Sequence, residues 1–274
     1  MTLVQASIAN NGNSAILIAD RLLTTRLSRD LPSYEFESPI QKIILKEKVG
    51  VGFAGSSLHG DIATSKIADI FDFDEIVKTI SEYISNKRQE LIDKHIKRLT
   101  GVKSGEFFNK NDLPIPPEVR GHIYAQIKDF NINCHCLVTG FDEKGEARIV
   151  DIDDNGDITE ATTFGVHSIG TGSPFSQVYF DQYGYDTKMS TEEAVLFAFE
   201  AKTWAEAHTG VGVRTDMLVF NKKNKKEIDV LKIYDDSEFM DKLQKAYKDE
   251  IDKRKEFRTK LLKELFEESG REKK

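Results

Sequence analysis

The chain begins with MTLVQASIANNGNSAILIADR, residues 1–21, and this stretch decides the fold prediction. Two apolar segments rich in β-formers, residues 3–9 and 14–19, are separated by Asn10-Asn11-Gly12-Asn13. An Asn-Gly pair between hydrophobic segments is a strong hairpin signal, because both residues tolerate positive φ. The sequence therefore predicts that the chain opens with a β-hairpin.

Residue Thr2 gives this hairpin a candidate chemical role. If Met1 is removed, Thr2 carries a hydroxyl group and a free α-amine, so that one residue supplies both a nucleophile and a base. The simpler interpretation is that a small second residue only permits removal of the initiator methionine. Residues farther along the chain have to decide between the two.

Length, charge and cysteine content limit the classes of protein to which the chain can belong. A chain of 274 residues forms one large domain or two small ones, and either buries an ample core. A net charge of −7 argues against a general nucleic-acid binder. The sequence has no cationic segment followed by an apolar run at its start, and no apolar stretch approaches the ~20 residues of a spanning helix. Cys134 and Cys136 are poorly spaced for a disulfide with each other, which fits a reducing compartment. Taken together, these features lead us to expect a soluble, cytoplasmic protein without membrane or nucleic-acid partners.

The remaining patterns predict strands, helices, strands, helices and strands in that order. This segregation favours a sandwich of sheets with helices outside over a βαβ alternation. The predicted strands after the first hairpin are 40–45, 49–54, 131–140, 147–152, 158–164, 166–170, 217–220 and 228–234, with a surface loop at 26–38. The predicted helices follow Ser57, run from Asp74 to about Leu99 with Gly101 as the stop, begin near Pro174, and run from the Ser190 cap to about Ala207.

Two segments stand outside this pattern. Residues 101–117 contain Gly, Asn and three prolines, and are expected to form an irregular insertion. Residues 237–274 are rich in Lys and Glu with apolar residues at helical spacing, which predicts a charged amphipathic tail. The tail either packs on the body or binds a partner. The predicted domains are therefore 1–236 and 237–274.

No metal or cofactor is predicted. The run from Asp151 to Gly156 begins like a calcium loop, but its twelfth position, Thr162, cannot supply the bidentate carboxylate, so we expect a hairpin turn at 154–157. Cys134-His135-Cys136 has the wrong spacing for structural zinc and is expected to be a buried strand.

Several short segments in one order carry a family resemblance. The chain resembles proteasome β subunits and the peptidase subunit of the bacterial two-component ATP-dependent protease, that is, peptidase T1-like N-terminal-nucleophile (Ntn) hydrolases, over about residues 2–235. The resemblance implies an α+β fold: a four-layer αββα sandwich of two antiparallel sheets between helix layers. The segments are Ile18-Ala19-Asp20-Arg21, Lys42-Ile43, Gly52-Phe53-Ala54-Gly55-Ser56, Thr139-Gly140-Phe141-Asp142, Ile169-Gly170-Thr171-Gly172-Ser173 and Met189 to Ala194.

The resemblance implies chemical roles for seven residues. The Thr2 hydroxyl would attack the scissile carbonyl, and its α-amine, with an ordinary pKa of about 7.7–8.0, would take the proton. Lys42 matches the cation beside that amine, Asp20 its acidic partner, and Gly55 the glycine whose N–H stabilises the oxyanion. The residues that match those holding the amine and hydroxyl are Ser173, Glu206 and Thr209, and Glu206 stands where the family usually has Asp.

Substrate contacts are implied in the same way. Thr24 and Ser57 match positions that line the peptide cleft through backbone contacts. Leu23, Ile40 and Phe53 are bulky and apolar near the expected specificity pocket, which favours an apolar side chain before the scissile bond.

The sequence thus predicts a threonine peptidase that acts on peptide or protein substrates as a homo-oligomer, with a possible ATP-dependent unfoldase as partner. A peptide ligase using the same acyl-enzyme shares every residue named above. A non-catalytic proteasome-like scaffold is the third hypothesis, motivated by Glu206 and by the lack of a propeptide.

Overall fold

The computed structural model describes residues 2–25, 34–109, 115–128, 130–224 and 227–271. The chain divides into two compact units, Met1–Lys232 and Ile233–Lys274. Unit 1 is a mixed α/β structure. Unit 2 consists mainly of one long helix.

Unit 1 contains two five-stranded sheets and a short separate hairpin. The order in the first sheet is β10-β1-β2-β11-β12, and in the second it is β5-β6-β7-β8-β9. The strands are β1 Val4–Ala9, β2 Ser14–Asp20, β3 Leu22–Thr25, β4 Tyr34–Glu37, β5 Ile43–Lys46, β6 Val49–Gly55, β7 Cys134–Phe141, β8 Ala147–Ile152, β9 Ile158–Glu160, β10 Val166–Ile169, β11 Thr215–Asn224 and β12 Glu227–Ile233.

Seven α-helices lie among the described residues, and their ends follow local signals. Ser190 and Glu193 form a reciprocal capping box at one helix, and Gly101 adopts φ 76° where the longest helix of unit 1 stops. The helices are α1 Ser57–Lys66, α2 Phe73–Thr100, α3 Ser104–Asn109, α4 Pro117–Lys128, α5 Ser173–Tyr183, α6 Thr191–Ala205 and α7 Glu238–Arg271.

The opening hairpin has the predicted form. Val4 pairs with Ala19 and Ala9 with Ser14 across β1 and β2. The connecting turn has positive φ at Asn10, Asn11 and Gly12. The Asn-Gly signal is therefore confirmed, and it fixes the register that carries the residues before Val4 to the end of β2.

Three of the apolar clusters in the described part of unit 1 contain residues of its sheets. One contains Leu17 of the first sheet and Leu137 of the second, so it lies between the sheets. A second joins Val138 of the second sheet to Ile80 of α2. A third joins Val166 of β10 to residues of α5 and α6. Apolar contacts therefore join the two sheets to each other and residues of each sheet to helices.

Three segments differ from the sequence prediction. Residues 34–37, predicted as loop, form β4 and pair with β3, while 26–33 lie outside the described residues. The 101–117 insertion contains helix α3, and its residues 110–114 are likewise not described. Pro117 begins α4, because proline is tolerated in the first turn, where its missing N–H has no helical partner. The predicted strand 158–164 stops at Glu160 and continues as a 3₁₀ turn.

Helix α7 dominates unit 2. Ser237 accepts a hydrogen bond from the N–H of Met240, and acidic residues in the first turn suit the positive end of the helix dipole. Its surface carries Glu–Lys and Glu–Arg pairs at helical spacing, such as Glu250 with Arg254. Among the described residues, no helix combines the length and the apolar character needed to cross a membrane.

Candidate active site

Thr2, Asp20 and Lys42 meet at the point where the first hairpin ends. Thr2 precedes β1, Asp20 closes β2, and Lys42 stands immediately before β5. The Thr2 hydroxyl donates to Asp20 Oδ1 at 2.5 Å, and Lys42 Nζ donates to that same oxygen at 2.9 Å. Lys42 Nζ also donates to Thr2 Oγ1. A hydroxyl, an ammonium and a carboxylate therefore form one closed triangle.

Asp20 is the fixed point of this triangle. Its side chain is fully buried, and Oδ1 also accepts the N–H of Leu3 at 2.8 Å. Its other oxygen accepts the N–H groups of Leu22 at 3.0 Å and Gly212 at 2.9 Å. Main-chain donors on three sides thus orient the carboxylate, and the orientation does not depend on a mobile partner.

Lys42 lies in a mostly buried position, with 9% of its side chain exposed. Burial lowers the pKa of its amine, and the neighbouring Asp20 carboxylate opposes that shift. An ammonium whose pKa is lowered gives up its proton more easily. Lys42 is therefore placed to take part in moving the proton of the Thr2 hydroxyl.

The main chain of Thr2 is held from the opposite side by the segment between β10 and α5. Thr171 Oγ1 accepts from Thr2 N at 3.2 Å, and the N–H of Gly172 donates to Thr2 O at 3.2 Å. The nitrogen that would become the α-amine is thus already in a polar contact.

A cavity of about 530 Å³ opens beside Thr2. At its edge Gly55 ends β6 with φ +98°, and a Cβ there would overlap the carbonyl oxygen of Asn133, so only glycine fits. The N–H of Phe53 donates to Lys42 O on the β5 side. Because N–H groups two residues apart in a strand face the same edge, we expect the Gly55 N–H on that side as well, beyond the start of β5 and next to the cavity that Gly55 and Thr2 both line.

Comparison with known proteins identifies the fold. A family model described as proteasome subunit matches residues 109–204. The structure is similar to an Anbu (Gly-1) mutant from Hyphomicrobium sp. strain MC1, at 14% identity and a TM-score of 0.57, covering 92% of this chain and 96% of that one. It is also similar to Anbu, an ancestral beta-subunit, from Yersinia bercovieri, at 14% identity and a TM-score of 0.58, covering 91% and 94%. The chain has a proteasome β-like, Ntn-type fold. No curated protein matches it by sequence.

The proteasome β-like fold confirms the resemblance proposed from short sequence segments. It gathers most of the predicted site residues in one place. The residues that line the cavity with Thr2 and Lys42 include Leu23, Ile40, Phe53, Gly55 and Ser57. The side chain of Thr24 lies outside the described set, and its backbone pairs with Glu35 in the β3–β4 hairpin.

The three other predicted residues, Ser173, Glu206 and Thr209, are not among the described residues that line this cavity. Ser173 begins α5 and lines a separate cavity of about 670 Å³. Thr209 is exposed in the loop between α6 and β11. Glu206 follows α6 and pairs with Lys202 at 2.6 Å.

Sequence reasoning missed three participants. Thr171 accepts a hydrogen bond from the Thr2 nitrogen; it lies in the segment Ile169 to Ser173 that carries the family resemblance, but the sequence assigned it no role. Gly212 donates its N–H to Asp20 from 192 residues farther along the chain. Lys202 is fully buried and donates to the carbonyl oxygen of the next residue, Val213, and neither residue lies in a local motif. Only the folded chain brings them to the site.

Proposed function

We propose that the protein is an N-terminal-threonine peptidase or amidohydrolase that cleaves peptide bonds through an acyl-enzyme on Thr2. The observation that carries the proposal is the triangle of Thr2, Asp20 and Lys42 at the mouth of the 530 Å³ cavity. A threonine with no chemical role would not require a buried carboxylate and a buried lysine next to its hydroxyl. Burial of that ion pair is costly, and a catalytic use explains its presence.

The chemistry follows from the contacts of Thr2. Once Thr2 is the first residue, its hydroxyl proton passes to the α-amine, with Lys42 as the neighbouring cation, and Oγ1 bonds to the scissile carbonyl carbon. The Gly55 N–H donates to the oxyanion. The carbon–nitrogen bond then breaks, the amine product leaves with the proton, and water hydrolyses the Thr2 ester to a carboxylate.

The walls of the cavity favour an apolar side chain before the scissile bond. Leu23, Ile40 and Phe53 line it, and Ile40 is 53% exposed in the free chain. Covering such a side chain with an apolar substrate group stabilises the complex by about 25 cal/mol per Å² of apolar surface removed from water.

The proposal also covers the layer arrangement, the oligomeric state and the cellular location of the protein. We assign the chain a four-layer αββα arrangement and a homo-oligomeric, cytoplasmic state that secludes the site by assembly. Gel filtration with light scattering measures the oligomer, and a monomer at micromolar concentration would contradict seclusion by assembly. The roles of Ser173, Glu206 and Thr209 in holding the amine stay predictions.

Intact-mass measurement followed by labelling tests the chemistry. The expected result is loss of Met1 and a single adduct from a threonine-directed peptide β-lactone. Thr2→Ala should abolish the adduct, whereas Thr2→Ser, which keeps a hydroxyl, should retain it. A chain that has a free Thr2 and forms no adduct would support the scaffold hypothesis and overturn the proposal.

A transfer assay separates hydrolysis from ligation. A labelled apolar peptide is incubated with the protein, with and without an excess of an amine acceptor, and the products are resolved by mass. Hydrolysis gives the carboxylate in both reactions. Exclusive formation of the amide in the presence of acceptor would show that the acyl-enzyme serves a ligase instead.

A further inference from the structure

Lys202 of α6 is a fully buried lysine to which the chemistry above gives no task. Its Nζ donates to Glu206 Oε1 at 2.6 Å and to the carbonyl oxygen of Val213 at 2.8 Å. Burial lowers the pKa of Lys202 and raises that of Glu206, while their ion pair opposes both shifts. A buried pair of this kind stabilises a fold weakly at best, so its position calls for a functional explanation.

The loop at Val213 connects this lysine to the Thr2 site. The N–H of Val213 donates to Glu37 Oε1 at 2.8 Å, so that Glu37 and Lys202 hold the two main-chain polar groups of one residue. The preceding residue, Gly212, donates its N–H to Asp20. A Cβ at Gly212 would lie 2.7 Å from Leu22 Cβ and 2.9 Å from the Leu22 nitrogen, as well as 2.5 Å from Glu37 Oε1, so the loop can pass this closely only as glycine.

Charges from several elements face one another here. Three carboxylates, on Asp20, Glu37 and Glu206, interact electrostatically with two ammonium groups, on Lys42 and Lys202. The nearby pair of Arg21 and Asp216 is joined at 2.7 Å and adds no net charge.

With all three carboxylates and both ammonium groups charged, the cluster carries a net charge of −1. A protonated Thr2 amine would neutralise that charge. Within the described part of the chain, Glu37 Oε2 is buried and has no hydrogen-bond partner, so no donor offsets the negative charge on that oxygen. Without Lys202 the net charge would be −2, and the neighbouring amines would hold their protons more tightly.

We infer that Lys202 is a positioning residue of the Thr2 site: it fixes the loop that presents the Gly212 N–H to Asp20, and its positive charge makes it easier for the Thr2 amine and for Lys42 to lose a proton. The inference rests on the proposed function for its catalytic consequence. Its electrostatic part concerns Lys42 and can be measured whether or not the chain is a peptidase.

Competitive acetylation of the whole protein provides the measurement. Acetylation of each amine is followed by peptide mass mapping from about pH 6 to about pH 12, which brackets the ordinary pKa values of the α-amine and of lysine. The variants are Lys202→Met, Lys202→Arg and Glu37→Gln. Lys223→Met is the matched control, because Lys223 also pairs with a carboxylate at 2.6 Å, on Asp229, but is 55% exposed.

Opposite shifts are expected from the two charge changes. Lys202→Met should raise the pKa of Lys42, and of the Thr2 amine where it is free, by about half a pH unit or more, since a charge nearby in a partly buried site acts over several ångströms. Glu37→Gln should lower both. Lys202→Arg should restore the wild-type values, and Lys223→Met should leave them unchanged.

The opposite signs exclude a merely structural role. Loosening of the loop would admit water and raise the Lys42 pKa in both variants. Shifts of the same sign, or none in Glu37→Gln, would overturn the inference, and Glu37→Gln serves even if Lys202→Met does not fold. In a labelling-competent protein, the acidic limb of the β-lactone reaction should move up with the amine pKa in Lys202→Met. Absence of any wild-type adduct would refute the peptidase and leave the Lys42 result to decide the inference.

Discussion

Replacing Asp20 by Asn tests the centre of the site without changing its shape. The carboxylate accepts from the Thr2 hydroxyl, from Lys42 Nζ and from three main-chain N–H groups, at distances of 2.5–3.0 Å. Asparagine keeps one acceptor oxygen and introduces an NH₂ donor on the other side. In either orientation of the amide, at least two buried donors lose their acceptor, and Lys42 loses its counter-charge.

The expected loss of stability can be worked out from these contacts. Each buried donor left without an acceptor costs about 1–3 kcal/mol, so two cost about 2–6 kcal/mol. Removing one partner of a buried ion pair costs about 3–5 kcal/mol by itself, and the two figures overlap because they count the same groups. Asp20→Asn should therefore lower the free energy of unfolding by about 3–5 kcal/mol. At about 2–4 °C per kcal/mol, the Tm should fall by on the order of 10 °C.

Urea denaturation and thermal melting measure this loss, with a double-mutant cycle to identify its cause. Because Lys42→Met removes the charge that Asp20→Asn leaves unpaired, the double variant should be more stable than the sum of single effects predicts, by about 1 kcal/mol or more. Asp229→Asn is the control, since its pair with Lys223 is exposed and should cost about 0–1 kcal/mol. A loss below about 1 kcal/mol for Asp20→Asn, or additivity in the cycle, would refute the description of Asp20 as the fixed point of the site.

Three further predictions concern backbone, pH and thiol chemistry. Gly55→Ala should abolish β-lactone labelling of Thr2 and should lower the free energy of unfolding more than Gly101→Ala does. Both glycines have positive φ, but only Gly55 lacks room for a Cβ. Equal losses in urea denaturation would contradict the steric argument. Asp151, bonded to His135 at 2.5 Å and to a second histidine, has its pKa lowered to about 2. Its contribution is therefore present above the unfolded pKa of about 3.9 and lost as the pH falls toward 2, so Asp151→Asn should cost about 2 kcal/mol near pH 5 and close to nothing near pH 2. Burial raises the pKa of the Cys136 thiol, so a thiol reagent should label it only after denaturation, and rapid labelling of the native protein would show that the strand opens.

Local sequence signals predicted the elements that frame the site. The Asn-Gly turn set the register of β1 and β2, and the capping box at Ser190 marked the start of α6. These signals work because their physical cause lies within a few residues. The loop prediction for 26–38 failed at residues 34–37, because β4 has only four residues, two of them glutamates, and its pairing with β3 comes from the tertiary structure.

Some residues of the site were predicted from the sequence, and others could be found only in the folded chain. Thr2, Asp20, Lys42 and Gly55 were predicted through their order along the chain, and the structure brings them together. Lys202 with a glutamate four residues later has the same spacing as an ordinary surface pair, and only packing of α6 shows that it is buried. A side chain that acts through a main-chain contact with a distant loop leaves no periodic trace in the sequence.

The position of β1 inside its sheet has a practical consequence. Val4 pairs with Ala19 on one side and with Ile169 on the other, so this strand has hydrogen-bonded neighbours along both edges. The segment that enters the strand must come past Thr2, which lines the cavity. Under the proposed function, a group attached to the Thr2 nitrogen therefore competes with substrate for that space. An affinity tag at that end would then act as a tethered inhibitor, and removal of Met1 would determine when the proposed activity begins.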